Sequence, residues 1–287
     1  MSKYKLLELM INTANSSDIT KTRLKDWNVI IQWNIEGDVF YWSTANEMFS
    51  FISLKKPDLI LSCSEITLSK IANKQLSLFS AIYDTHEMDL KGSLGDATRL
   101  GYNFLYDKRK RKVIFISNCW LNINMRYPGG AAYPGAETQV IKFLLDNDCG
   151  IIQMPCPECN CLGGIEKQKY GTIKGKGAIE CYRNTADTVV SQIKEYKKLG
   201  YSIVGILGMN PSPSCGVEIS RIKWTIDGSN PDELPSSNSG VFIDELRESL
   251  KENNINDVKI FGLHRLLIDE SEKEERFNFI KNYLDLN

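Results

Sequence analysis

The apolar positions along the chain follow two rhythms, and the change falls near residue 108. In residues 3–14 (KYKLLELMINTA), Leu6, Leu7, Met10 and Ile11 recur at the spacing of one helix face. Residues 27–35 (WNVIIQWNI) are rich in β-branched and aromatic types. Glu36-Gly37-Asp38 then marks a turn and residues 39–42 (VFYW) return, which predicts a β-hairpin. A third strand is expected over 57–63, helices over 65–72 and 75–82, and a strand end in the glycine-punctuated stretch 91–96. This is α+β grammar.

Beyond the change, strands and helices alternate. Strands are expected over 113–117, 150–154, 203–207 and 258–263, and helices over 137–146, 179–199, 241–250 and 272–284. The unbroken apolar run VIFI suits a strand buried on both faces. Such alternation implies βαβ units, so the expected fold class is α/β: a mostly parallel sheet with flanking helices, preceded by a smaller α+β domain. The expected limits are 1–107 and 113–287. The basic run Lys108-Arg109-Lys110-Arg111-Lys112 between them reads as a solvated linker rather than a binding patch.

Charge and composition narrow the function classes. A net charge of -1 gives no electrostatic footprint for nucleic acid. No apolar run approaches the ~18 residues of a membrane span. The opening Met1-Ser2-Lys3-Tyr4-Lys5 leads into an amphipathic stretch rather than a signal peptide, so a soluble cytoplasmic protein is expected. In that reducing compartment the eight cysteines are not expected to form disulfides, and clustered ones point to metal or thiol chemistry.

The position of three cysteines carries that chemistry. Cys119, Cys156 and Cys215 each fall just beyond the carboxyl end of a different predicted strand, the edge where open parallel sheets bind ligands. Prolines and glycines flank them, in CWLNINMRYPGG, MPCPECNCLGG and NPSPSCG, which stiffens the loops and lets backbone approach a bound group. Thiolates suit zinc as well as iron–sulfur clusters. Structural zinc favours paired C-x2–4-C knuckles, and Cys156-Pro157-Glu158-Cys159 offers one such pair with no second pair beside it. Three thiols acting as small apolar residues are the remaining reading. Cys63, Cys149 and Cys181 are expected to be structural. His86 and His264 are too isolated to form a catalytic pair. Residues 171–177 (GTIKGKG) lack the G-K-[ST] ending of a phosphate loop.

Two family resemblances add to this. The aromatic hairpin followed by PDLILSCSEITLSKIANKQLSLFSAIYDTHEMDLKGSLGDATRL resembles the sterol carrier protein type 2 family. That resemblance implies a hairpin-led sheet and helices around an apolar tunnel for a lipid or similar ligand, and transfers no catalytic residue. Over residues 112–265, SNCWLN, YPGA, GIIQMPCPE, GILG and SPSCGV are similar to the thiouracil desulfurase family and its longer desulfidase relatives. This second resemblance implies a [4Fe–4S] cluster held by Cys119, Cys156 and Cys215, with one open iron that takes the sulfur of the substrate. It places Glu158 and Ser212 on the substrate side as catalytic residues. Arg126, Tyr127 and Ser214 are pocket candidates. Glu158 is also open to a loop-bracing role, and Ser212 to capping its own turn.

One loop departs from the family pattern. The run CPECNCLGGIEKQKYG adds Cys159 and Cys161 and lacks the P-R-x-P segment. Either added thiol is a candidate to fill the open iron position or to accept a sulfur atom. The implied activity is release of sulfide from a small thio-compound, a thiouracil-like thione, by non-redox Lewis-acid catalysis. Sulfur transfer to an acceptor at the same cluster, and a non-enzymatic iron–sulfur or thiol redox sensor, are the alternatives.

Overall fold

The computed structural model describes residues 1–105, 111–126, 129–131, 134–165, 176–218 and 239–264, together with 274–275, 277–278 and 280–282. Two compact units, Met1–Asp107 and Lys108–Asn287, divide the chain.

The first unit opens with α1 (Lys3–Asn15), whose buried Leu6, Leu7, Met10, Ile11 and Ala14 form the predicted stripe. Helix α2 (Asp18–Leu24) follows. The hairpin strands are β1 (Ile30–Ile35) and β2 (Asp38–Ser43), and β3 (Ser50–Phe51), β4 (Leu59–Cys63) and β5 (Met88–Gly92) complete a sheet of order β3-β2-β1-β4-β5. Only β1 and β4 pair in parallel. Ile31, Trp33 and Ile35 alternate inward along β1 and are fully buried, as a half-covered strand requires. Helices α3 (Glu65–Ala72), α4 (Leu78–Tyr83) and α5 (Leu94–Gly101) complete the α+β unit. Each of these three begins at a serine whose Oγ accepts a backbone N–H from the first turn. The sequence pattern did not predict α2 or α5; α5 carries Gly95 and Gly101, which read as breaks.

The second unit is built on four parallel strands: β6 (Lys112–Ile116), β7 (Cys149–Gln153), β8 (Ser202–Asn210) and β9 (Ile260–His264), in the order β7-β6-β8-β9. Strand β6 begins at Lys112, and the preceding Arg111 donates from Nη1 to the Leu199 carbonyl at 3.1 Å and lies over the Tyr201 ring. Side chains of β6 alternate between two apolar layers. Phe115 joins α9 (Lys176–Lys198) and α10 (Val241–Glu252) on one face. Ile114 and Ile116 join α7 (Thr138–Asp146) and the buried Ile280 on the other. Both sheet faces are thereby covered, which explains why β6 reads as a continuous apolar run.

Strand β8 runs beyond the expected 203–207 and includes Gly208. A Cβ at Gly208 would stand 2.4 Å from a Val217 methyl, so this glycine marks close approach of a neighbour rather than a strand end.

Candidate functional site

Strand order fixes where the site lies. After β6 the chain pairs first on one side, as β7, and then on the other, as β8. That reversal opens a crevice at the carboxyl ends of β6 and β8, the usual ligand position in open α/β sheets.

Cys119 lies in α6 (Asn118–Leu121), the single turn that follows β6. Trp120, fully buried beneath it, donates from Nε1 to the Gly208 carbonyl at 3.1 Å and ties that turn to β8. Cys156 is the N-cap of α8 (Pro157–Cys161), and its Sγ accepts the Cys159 N–H at 3.4 Å. Cys215 sits in the turn after β8. Ser212 Oγ accepts the N–H groups of Ser214 at 3.3 Å and Cys215 at 3.0 Å. The Ser214 carbonyl accepts from Phe242 N and Ile243 N, which docks the turn on the start of α10. Gly208 and Gly240 make this possible: a Cβ at Gly208 would lie 2.5 Å from the Cys215 carbonyl oxygen, and one at Gly240 would lie 2.3 Å from that of Ser214.

The three cysteines line one cavity of about 40 Å³, together with Glu158, Arg126 and Ser212. Of the remaining candidates, Ser214 is fully buried behind the wall, where its Oγ donates to Glu158 Oε1 at 2.7 Å. Glu158 is itself 8% exposed. Tyr127 lies outside the described residues. Cys159 is not among the residues lining this cavity. Ser212 braces its own turn while lining the cavity.

The expectation that no cysteines pair, and that Cys161 is a spare thiol, is corrected. Cys161 and Cys181 form a disulfide, with Cα atoms 5.7 Å apart. Packing α8 against α9 brings together two thiols that are 20 residues apart in sequence, a juxtaposition no local spacing could announce. Cys149 is a buried strand residue whose thiol pKa burial pushes up to about 12, which suits an inert packing role.

Burial pushes the Cys215 thiol pKa well up, and negative charge on Cys156, Cys119 and Glu158 pushes it further, with the Ser117 hydroxyl acting the other way. The sulfurs delivered by three strand ends thus lie close enough to make ionisation of Cys215 harder. Tyr182 on α9 is a neighbour that the motif reading missed. It is fully buried, and burial first, then the charge of Glu158, raises the pKa of its hydroxyl. The readable signal was its phase: Ala178, Tyr182, Ala186, Val189 and Ile193 form one buried face of α9.

Soft thiol donors with one buried carboxyl fit a thiophilic group. Among the described residues no group of three or more His, Cys, Asp or Glu is arranged to hold a metal ion. The donors that would hold a thiophilic group are Cys119, Cys156 and Cys215, which line the same cavity.

No family profile matches the chain. Among solved structures, it is similar to palmitated SCP2L2 from Aedes aegypti, 18% identical with a TM-score of 0.28, over 35% of this chain and 92% of that one. It is also similar to sterol carrier protein 2 from Yarrowia lipolytica, 16% identical with a TM-score of 0.27, over 36% and 90%. The sec-alkylsulfatase Pisa1 from Pseudomonas sp. matches at 21% identity and a TM-score of 0.26, with only 14% of its length covered. Likenesses this distant carry no argument about activity. A closer relative is the uncharacterized protein MJ0003 of Methanocaldococcus jannaschii, 32% identical over 115 residues, which are 39% of this chain and 71% of that protein. On that identity and coverage, the chain belongs to the family of MJ0003.

Proposed function

We propose that this protein is an iron–sulfur-dependent desulfidase that releases sulfide from a small thio-compound such as a thiouracil-like thione. The observation that carries the reading is the convergence of Cys119, Cys156 and Cys215 on one cavity at the sheet's switch point. Cys119, Cys156 and Cys215 would hold a [4Fe–4S] cluster, and the chemistry it would supply is that of a Lewis acid toward the sulfur of a thione. The chain's own residues do the rest. The Ser214 hydroxyl orients the Glu158 carboxyl by its 2.7 Å bond. Glu158, held in the cavity wall, takes a proton from the water that adds to the thione carbon and returns it to the departing sulfur. The balance is C=S plus water to C=O plus hydrogen sulfide, with no net change of oxidation state. Arg126, also in the wall, offers a cation to an anionic part of the substrate. The sterol carrier-like reading of the first unit extends the proposal: a substrate with an apolar part.

The test is purification without oxygen, followed by iron and acid-labile sulfide analysis and EPR. About four irons and four sulfides per chain are expected. Cys119→Ser, Cys156→Ser and Cys215→Ser should each lose them. Sulfide release from thiouracil should follow in the iron-loaded protein. Zinc in place of iron, or no iron after reconstitution, overturns the reading.

A further inference from the structure

The disulfide stands beside the site, and both of its ends carry a site neighbour. Helix α8 is a single turn, too short to persist by itself. Its hydrogen bonds, Asn160 N to Cys156 O at 3.0 Å and Leu162 N to Glu158 O at 2.9 Å, make residues 156–162 one short piece that is rigid only where it is anchored. Fixing Cys161 at the end of that piece therefore fixes Cys156 and Glu158 at its start. On the other side, Cys181 precedes Tyr182, the buried residue whose hydroxyl senses Glu158. Cys161 and Cys181 are both partly exposed.

We propose that Cys161 and Cys181 are a reversible thiol–disulfide site whose oxidised form clamps α8 onto α9 and so holds Cys156 and Glu158 in the cavity wall. The reaction partner is a low-molecular-weight disulfide, RSSR. The thiolate of one cysteine attacks RSSR, forming a mixed disulfide and expelling one thiolate. The second cysteine attacks the mixed disulfide and expels the other. The two protons lost by the cysteines end on the two leaving thiolates. The protein dithiol is thus oxidised by two electrons and RSSR is reduced to two RSH. As regulation of the cavity, the inference rests on the proposed function; the thiol exchange itself does not.

The experiment uses the full chain, equilibrated without oxygen across ratios of reduced to oxidised glutathione. Alkylation and peptide mass spectrometry read the pair, and hydrogen exchange reads residues 157–162 in the same samples. The cross-linked 161–181 species should appear and disappear as one two-electron transition. Exchange in 157–162 should be about tenfold faster in the reduced form, while strand β4 in the other unit stays unchanged. Cys181→Ser and Cys161→Ser should each show the fast rate at every ratio. Both cysteines alkylated at all ratios, or equal exchange in the two forms, overturns the proposal. If the serine variants do not fold, the wild-type titration decides alone. Iron is assayed separately on the same samples, so a missing cluster sinks the desulfidase reading and leaves this result standing.

Discussion

Replacing Gly240 by alanine tests whether the Cys215 turn is held as tightly as the packing requires. Gly240 has φ -74° and ψ 150°, which alanine adopts without strain, so only space is at issue. The new Cβ would meet the carbonyl carbon and oxygen of Ser214 at 2.3 Å and the nitrogen of Cys215 at 2.9 Å. These are backbone atoms and cannot rotate away. Relief needs a separation of about 1 Å between the turn and the start of α10, typical of overpacking. Four bonds span that junction: Gly240 N to Gly216 O at 2.8 Å, Val241 N to Pro213 O at 3.1 Å, and Phe242 N and Ile243 N to Ser214 O at 3.1 and 3.2 Å. Such a shift takes most of them past bonding distance, at a net ~0.5–1.5 kcal/mol each. The stiffer unfolded chain returns ~0.4–1 kcal/mol. The expected loss is about 2 kcal/mol. Two units need not unfold together, so urea-dependent hydrogen exchange, resolved by peptide, is the assay. Gly177→Ala is the control: it lies in α9 with nothing within 4 Å of a new Cβ, and should stabilise by up to ~1 kcal/mol. A Gly240→Ala protein within about 0.5 kcal/mol of wild type would refute the geometry argued for the Cys215 turn.

Ser214→Ala removes the donor to the buried Glu158 carboxyl and should cost about 2 kcal/mol in urea unfolding of the second unit; an unchanged midpoint would show the bond to be unimportant. Removing the cross-link by Cys181→Ser reopens a 20-residue loop and should cost roughly 3 kcal/mol relative to the oxidised protein, read from the same unfolding curves. A hydrogen bond from Lys70, and after it one from Thr67, holds the Glu87 carboxyl below the usual carboxylate range. Its folded pKa is depressed, so its contribution is complete above the unfolded value of about 4.3 and fades as pH falls through the folded one. The stability gap between wild type and Glu87→Gln in the first unit should therefore be constant at neutral pH and close only in acid. A gap that stays constant down to pH of about 3 would contradict that assignment.

Local chemistry made much of this protein readable. The face of α1, the hairpin, the buried run of β6 and all four parallel strands follow from side-chain period and turn residues, which act over a few residues. So did the position of Cys119, Cys156 and Cys215 after three strand ends, since strand ends are local events. Helix α5 escaped because its glycines weigh against a helix, while packing of Ala97 and Leu100 into the core outweighs them. Tertiary structure alone decided the rest. Strand order, β7-β6-β8-β9, is a choice among distant pairings, and it is what turns three separate loops into one cavity. The Ser214–Glu158 bond spans 56 residues, and the Cys161–Cys181 bond joins thiols whose sequence spacing carries no signal. Sequence could say which residues reach the edge of the sheet. Which of them meet there depends on burial energy summed over whole helices and strands, and no single motif contains that sum.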